Sequence, residues 1–241
     1  MMSPKVKRFY KVATVERGAD GFALLLDGRT VKTPARQPLV LPTQVLAEAV
    51  ANEWRAQGED IVIASMPMTG FANAAIDRVV PRPDLFVREI ASFGETDTLC
   101  YRAEPEEALA KRQNDQWEPL LEWAENRYDI RFVRIVGVIH QPQPEHSLSR
   151  LEAAVAALNP FVLAPLVTIT SIGGSLVSAL ALVEGEFGID AIWQAVCLEE
   201  LWQEELWGAE EEAVKARLHR KAAFDDAHRF ALIARDSLRE R

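Results

Sequence analysis

Cysteine is nearly absent: Cys100 and Cys197 are the only two in 241 residues, and both fall in segments that read as helix. Two thiols cannot build a disulfide framework, so they are expected to be buried and reduced, without a redox or nucleophilic role. Histidine is almost as scarce. His140, His146, His219 and His228 form no H-x3-H or His/Cys cluster. His219 and His228 fall on opposite sides of one helix, because nine residues turn it through about 900°. With no pair of E-x-x-H motifs either, no metal site is expected. Phosphate-binding loops are missing too: there is no G-x-x-x-x-G-K-[ST], no G-x-G-x-x-G opening a helix, and no G-x-S-x-G elbow. The Gly-rich stretch Ser171-Ile-Gly-Gly-Ser175 lies in an apolar run without lysine and reads as a bend or packing site. No cofactor is expected, and no catalytic residue. The opening stretch, Met1 to Tyr10, is basic but has no apolar run behind it, and it is too poor in Ser and Arg for a transit peptide. The expectation is a cytoplasmic protein.

What is present fits an ordinary globular core: 49% apolar and 26% charged residues, enough to exclude disorder for most of the chain. The net charge of −9 is uneven. From Glu184 to Glu212 there are ten acids and no Lys or Arg, so the remainder sums to about +1. Phosphates would be repelled there, which argues against nucleic acid and for a partner with a basic or polar surface. Residues 161–183 carry no charge, long enough to span a bilayer. Yet the run holds Pro165, Gly173-Gly174 and five Ser/Thr, it lacks flanking Lys or Arg, and acids follow at once. It reads as a buried, broken helix, and stable membrane insertion is not expected.

The first third reads as β. Val6–Val15 is aromatic and β-branched, and Phe22–Leu26, Asp27-Gly28 and Arg29–Thr33 make a hairpin signal, followed by Leu39–Leu41. Thr43 caps a helix with Leu46, Val50 and Trp54 on one face and Gly58 past its end. Ile61–Ile63 is short and extended, Ser65-Met-Pro67 is a cap with Pro in the first turn, and Met68, Ala72, Ala75, Ile76 and Val79 make the next stripe. Helices follow over 84–93, stopped at Gly94, and over 104–128, where Pro119 must kink or restart the helix. Residues 131–139 look extended. From 147 to 241 the chain reads as helical, with a break near Asn159-Pro160 and a weak point at Gly208. The expected fold is α+β: a small β domain over 1–65, with one helix near 43–57, then a helical domain over 66–241.

If the helix runs through Gly208, then Glu200, Glu204, Trp207 and Glu211 share a face. Such acids beside a tryptophan are either a solvated face, a partner-binding face, or a general acid–base pair with raised pKa. Of the six tryptophans, Trp54, Trp117, Trp193 and Trp202 read as core. Trp123 is off its helix's main stripe, and Trp207 sits beside the acids, so these two are candidate interface anchors, with core packing as the other reading for Trp207.

Several stretches resemble one family: Asn52-Glu-Trp54; Asp97-Thr-Leu-Cys-Tyr-Arg102; Gln113-Asn-Asp-Gln-Trp117-Glu-Pro119 with Glu122-Trp-Ala-Glu-Asn-Arg-Tyr128; and Leu198-Glu-Glu-Leu-Trp-Gln203 with Trp207-Gly208. In this order they resemble the Atp12 family, assembly chaperones that bind the α subunit of the F-type ATP synthase. The resemblance implies a non-enzymatic protein that holds free α subunit before the catalytic head is built. It also implies a functional acid soon after the Trp-Gly pair, here Glu211 or Glu212. The partner-binding candidates are therefore Trp207, Glu211, Glu212, Glu204, Glu200 and Trp123. The rival classes are an enzyme using Glu200, Glu204 and Glu211, and a membrane-associated factor using residues 161–183.

Overall fold

The computed structural model describes residues 6–239; the expectations for Met1–Lys5 and for the last two residues lie outside them. It divides into two units, the first comprising 1–83, 159–165 and 229–241, the second 84–158 and 166–228. The architecture is α+β, small sheets followed by helices.

In the first unit, β1 (Val6–Lys7), β2 (Ala13–Arg17), β3 (Phe22–Leu26), β4 (Arg29–Thr30) and β5 (Val40–Leu41) lead into α1 (Gln44–Arg55) and β6 (Asp60–Ile61). The run expected over Val6–Val15 is two strands in two sheets, since β1 pairs with β6 and β2 with β3. The hairpin forms as expected: Asp27 and Gly28 take φ of 47° and 76°, which lets β4 fold back on β3. Thr43 caps α1 through its Oγ1, which accepts from Leu46 N at 3.3 Å. Tyr10, Ala13, Leu26, Ile61 and Met66 cluster under the sheets, with Val31 and Trp54 against them.

The expected cap at Ser65 does not form. Helix α2 (Pro67–Ala74), which widens into a π-helical turn at Ala75–Val79, has no capping side chain of its own. Glu53 of α1 does the work instead: its carboxylate accepts from Met68 N at 2.6 Å, and from Thr69 N and Oγ1 at 2.7 and 2.8 Å. Burial raises the Glu53 pKa despite those bonds. This fastening keeps 66–83 in the first unit, so the division differs from a boundary at 65. The last helix returns to the same unit, where Phe230 packs on Phe71 at 5.5 Å.

The second unit begins with α3 (Pro83–Ala91), then 3-10 turns at Ser92–Gly94 and Thr98–Cys100, β7 (Tyr101–Arg102) and α4 (Ala108–Tyr128). Helix α4 continues unbroken through Pro119 and buries Trp117, Leu120, Leu121, Ala124 and Tyr128. The stretch 131–139 is extended only at β8 (Ile135–Val136), which pairs in parallel with β7. Next come α5 (Glu145–Ala156), α6 (Pro160–Gly173), α7 (Leu176–Glu184), α8 (Ile189–Val196), α9 (Leu198–Trp207) and α10 (Glu211–Arg239). The helical stretch thus breaks at more places than Asn159-Pro160 and Gly208. Both cysteines are buried and free; Cys100 ends a 3-10 turn, and Cys197 lies between α8 and α9.

The uncharged run 161–183 is a broken helix, and no described helix is long and apolar enough to cross a membrane. The break has a partner far along the chain. Gly174 takes φ +59° and its carbonyl accepts from Thr98 N at 3.1 Å and Thr98 Oγ1 at 2.8 Å. Asp97, fully buried, accepts from Leu99 N at 3.1 Å and Val177 N at 2.9 Å, so one carboxylate caps both a 3-10 turn and α7.

Candidate functional site

The corner between α9 and α10 carries the exposed residues that the sequence singles out. Helix α9 stops because Gly208 takes φ 88° and ψ 155°, a conformation costly for any residue with a Cβ. Three residues later α10 begins, with Glu211 and Glu212 in its first turn, where negative charge complements the helix dipole. Both are exposed, and Lys215 reaches them at 2.6 and 3.3 Å. Trp207 is 77% exposed, beside Leu206 at 54%, and Leu218 on α10 is 64% exposed. A tryptophan so exposed is not core, which rules out core packing for Trp207.

The shared face expected for Glu200, Glu204, Trp207 and Glu211 does not exist, because Gly208 ends the helix and places Glu211 on the next one. Glu200 and Glu204 instead face the cations of α10. Arg217 donates to Glu204 Oε2 at 2.8 Å and Glu200 Oε1 at 3.1 Å, and Arg220 binds the other oxygen of Glu200. The hydrogen bond from Arg217 holds the Glu204 carboxyl below the usual range, and Arg112 does the same for Glu205. Neither carboxyl is tuned upward as a general acid at neutral pH would be. Among the described residues no group of three or more His, Cys, Asp or Glu could hold a metal ion.

The acidic stretch is therefore much less bare than its composition suggests. Glu184 binds Arg127 at 2.7 Å, Asp190 lies 4.0 Å from Lys221, and Glu205 binds Arg112, whose guanidinium stacks 4.5 Å above Trp202. Arg112, Arg217 and Arg220 were not singled out from the sequence. The run of four cations from Lys215 to Lys221, directly after three glutamates, was the available signal. Trp123 is half-buried, edge-on to Tyr128 at 5.7 Å and Phe187 at 6.4 Å.

The stretches that carry the family resemblance largely build the frame behind this corner. Gln113 donates to Glu199 at 2.7 Å and accepts from Ala103 N, and buried Trp117 donates its indole N–H to Ala195 O at 2.8 Å. Arg102 binds Glu118 at 2.9 Å, and Arg134 bridges Glu118 and Glu125. Helix α4 is thereby fastened to α8, α9 and the β7–β8 ladder.

The chain is similar to known proteins. Residues 7–125 match the family model described as ATP12 chaperone protein. The chain is 25% identical to the mitochondrial protein atp12 of Schizosaccharomyces pombe, over 87% of this chain and 76% of that one. It is 23% identical to the mitochondrial ATP12 of Saccharomyces cerevisiae, over 88% and 79%. The crystal structure of Atp12 from Paracoccus denitrificans superposes with TM-score 0.91 at 38% identity, covering 95% of this chain and 98% of that one. The Atu1473 protein of Agrobacterium tumefaciens gives TM-score 0.89 at 40% identity, covering 98% and 88%. With one fold and 38% identity over nearly the whole of both chains, this chain belongs to the ATP12 chaperone family.

Proposed function

We propose that this ATP synthase assembly chaperone takes the unassembled α subunit as its client, shields it from aggregation, works by binding without catalysis, and does so in the bacterial cytoplasm. The observation that carries the reading is the α9–α10 corner: Trp207 and Leu206 exposed at the end of α9, and Glu211 and Glu212 exposed in the first turn of α10. An apolar anchor with a polar rim is the usual anatomy of a binding hot spot. Subunits awaiting assembly expose surface meant for neighbours, which aggregates unless covered. Glu200 and Glu204 serve the site by fixing α10 to α9 through Arg217, so their part is positional. Trp123 is a second, weaker candidate contact through its exposed edge.

The test is size-exclusion chromatography of the purified chain with isolated α subunit and, separately, with the assembled catalytic head. A one-to-one complex with free α and none with the head is expected. No shift with free α, or equal binding to the head, refutes the reading.

A further inference from the structure

An open groove of about 570 Å3 lies against the hairpin of the first unit. Its floor is apolar, made of Tyr10, Leu26, Val31 and Trp54, and Phe9 stands at it 70% exposed, edge-on to Tyr10 at 5.5 Å. Arg29 and Lys32 also line it; both are exposed, and neither has an ion pair among the described residues. The acid in the lining, Asp27, is committed, its Oδ1 accepting from Val12 N at 2.9 Å and Lys11 N at 3.1 Å.

These features converge on one chemistry. The floor suits large apolar side chains, and the two exposed cations suit carboxylates. A phosphate compound fits less well, because no helix N-terminus and no glycine-rich turn enters the lining to cradle it. The charge of the unit agrees: it holds 15 Lys and Arg against 10 Asp and Glu, while the second unit holds 12 against 26.

We propose that this groove docks an extended segment of a partner protein in which Asp or Glu alternates with large apolar side chains. The proposal rests on the reading of the protein as a binding chaperone only in taking polypeptide as the ligand class.

The test uses the full chain and a fluorescein-labelled peptide of about ten residues alternating Glu and Leu, with a basic counterpart that carries Lys in place of every Glu, followed by anisotropy at about 0.05 M salt, where charge is weakly screened. The acidic peptide is expected to bind at least about tenfold tighter than the basic one, and the double substitution Arg29→Glu with Lys32→Glu to weaken it by about tenfold or more. Arg29→Gln with Lys32→Gln is a milder pair should charge reversal disturb folding, with an intermediate loss expected. No binding of the acidic peptide, or binding indifferent to these substitutions, overturns the proposal. So does ATP occupying the groove in the peptide's place, or a dimer that the double variant dissolves, which would seat a second copy there. Because the probe is not α subunit, each of these negatives leaves the proposed client standing.

Discussion

Two tryptophans on neighbouring helices separate stability from binding. Trp117 is buried and donates its N–H to Ala195 O, so Trp117→Ala should cost about 3–5 kcal/mol of unfolding free energy. Trp207 stands in water, so Trp207→Ala should leave the thermal midpoint within a few degrees and weaken client binding by about 2 kcal/mol. Differential scanning calorimetry and titration of α subunit check the pair; equal loss of stability in both variants would return Trp207 to the core. Glu211→Gln and Glu212→Gln are nearly isosteric and exposed, so neither should change stability by more than about 0.5 kcal/mol. One of them should impair ATP synthase assembly in cells lacking the native chain. Normal assembly with both would leave those acids as solvated surface. At this scale the sequence was informative about side-chain type and silent about partners. Trp207 and the glutamates stood out by composition, but what neutralises Glu200 and Glu204 sits on the far side of a corner whose direction no local pattern encodes.

At the scale of elements, legibility followed the range of the interactions that decide each one. The Asp27-Gly28 hairpin and the Thr43 cap are settled within a few residues and were readable. Helix α2 was readable but its cap was not, because the cap comes from Glu53; the break in the run 161–183 was signalled by Gly173-Gly174, but not its partners Asp97 and Thr98. That latch makes two predictions. Gly174→Ala forces a Cβ to within 2.6 Å of Thr98 Oγ1 at positive φ, and should destabilise by about 1–3 kcal/mol in denaturant titrations, with client affinity of the folded fraction unchanged. Burial raises the Asp97 pKa from 3.8 to about 6, outweighing its bonds to backbone N–H groups and to Ser175. The folded chain therefore holds this proton more tightly than the unfolded one. The stability tied to it is full below about pH 4 and falls as pH rises through about 6. Asp97→Asn should flatten that slope between pH 4 and 7, while lowering stability overall by about 1–3 kcal/mol because an amide cannot accept on both sides. An unchanged slope in urea unfolding at the two pH values would place the ionisation elsewhere.

For the whole molecule, charge separates the two units, while the ion pairs within the second leave fewer acids free than the stretch 184–212 implies. The exposed remainder should act on encounter more than on residence. Raising salt from about 0.05 to 0.5 M shortens the Debye length from roughly 14 to 4 Å and should slow association with the client several-fold in stopped-flow mixing. A salt-independent on-rate would turn the acids away from the interface. The composition of the first unit has a consequence for the order of events at the ribosome. Phe230, Ala231 and Ala234 are buried in it, although more than a hundred residues of the other unit are translated before they emerge. Helix α2 must then wait, with Phe71 uncovered, until the last helix is released, whereas most of the second unit has its sequence in hand earlier. A member of a chaperone family thus itself passes through a nascent state in which its first-made unit is the last to close.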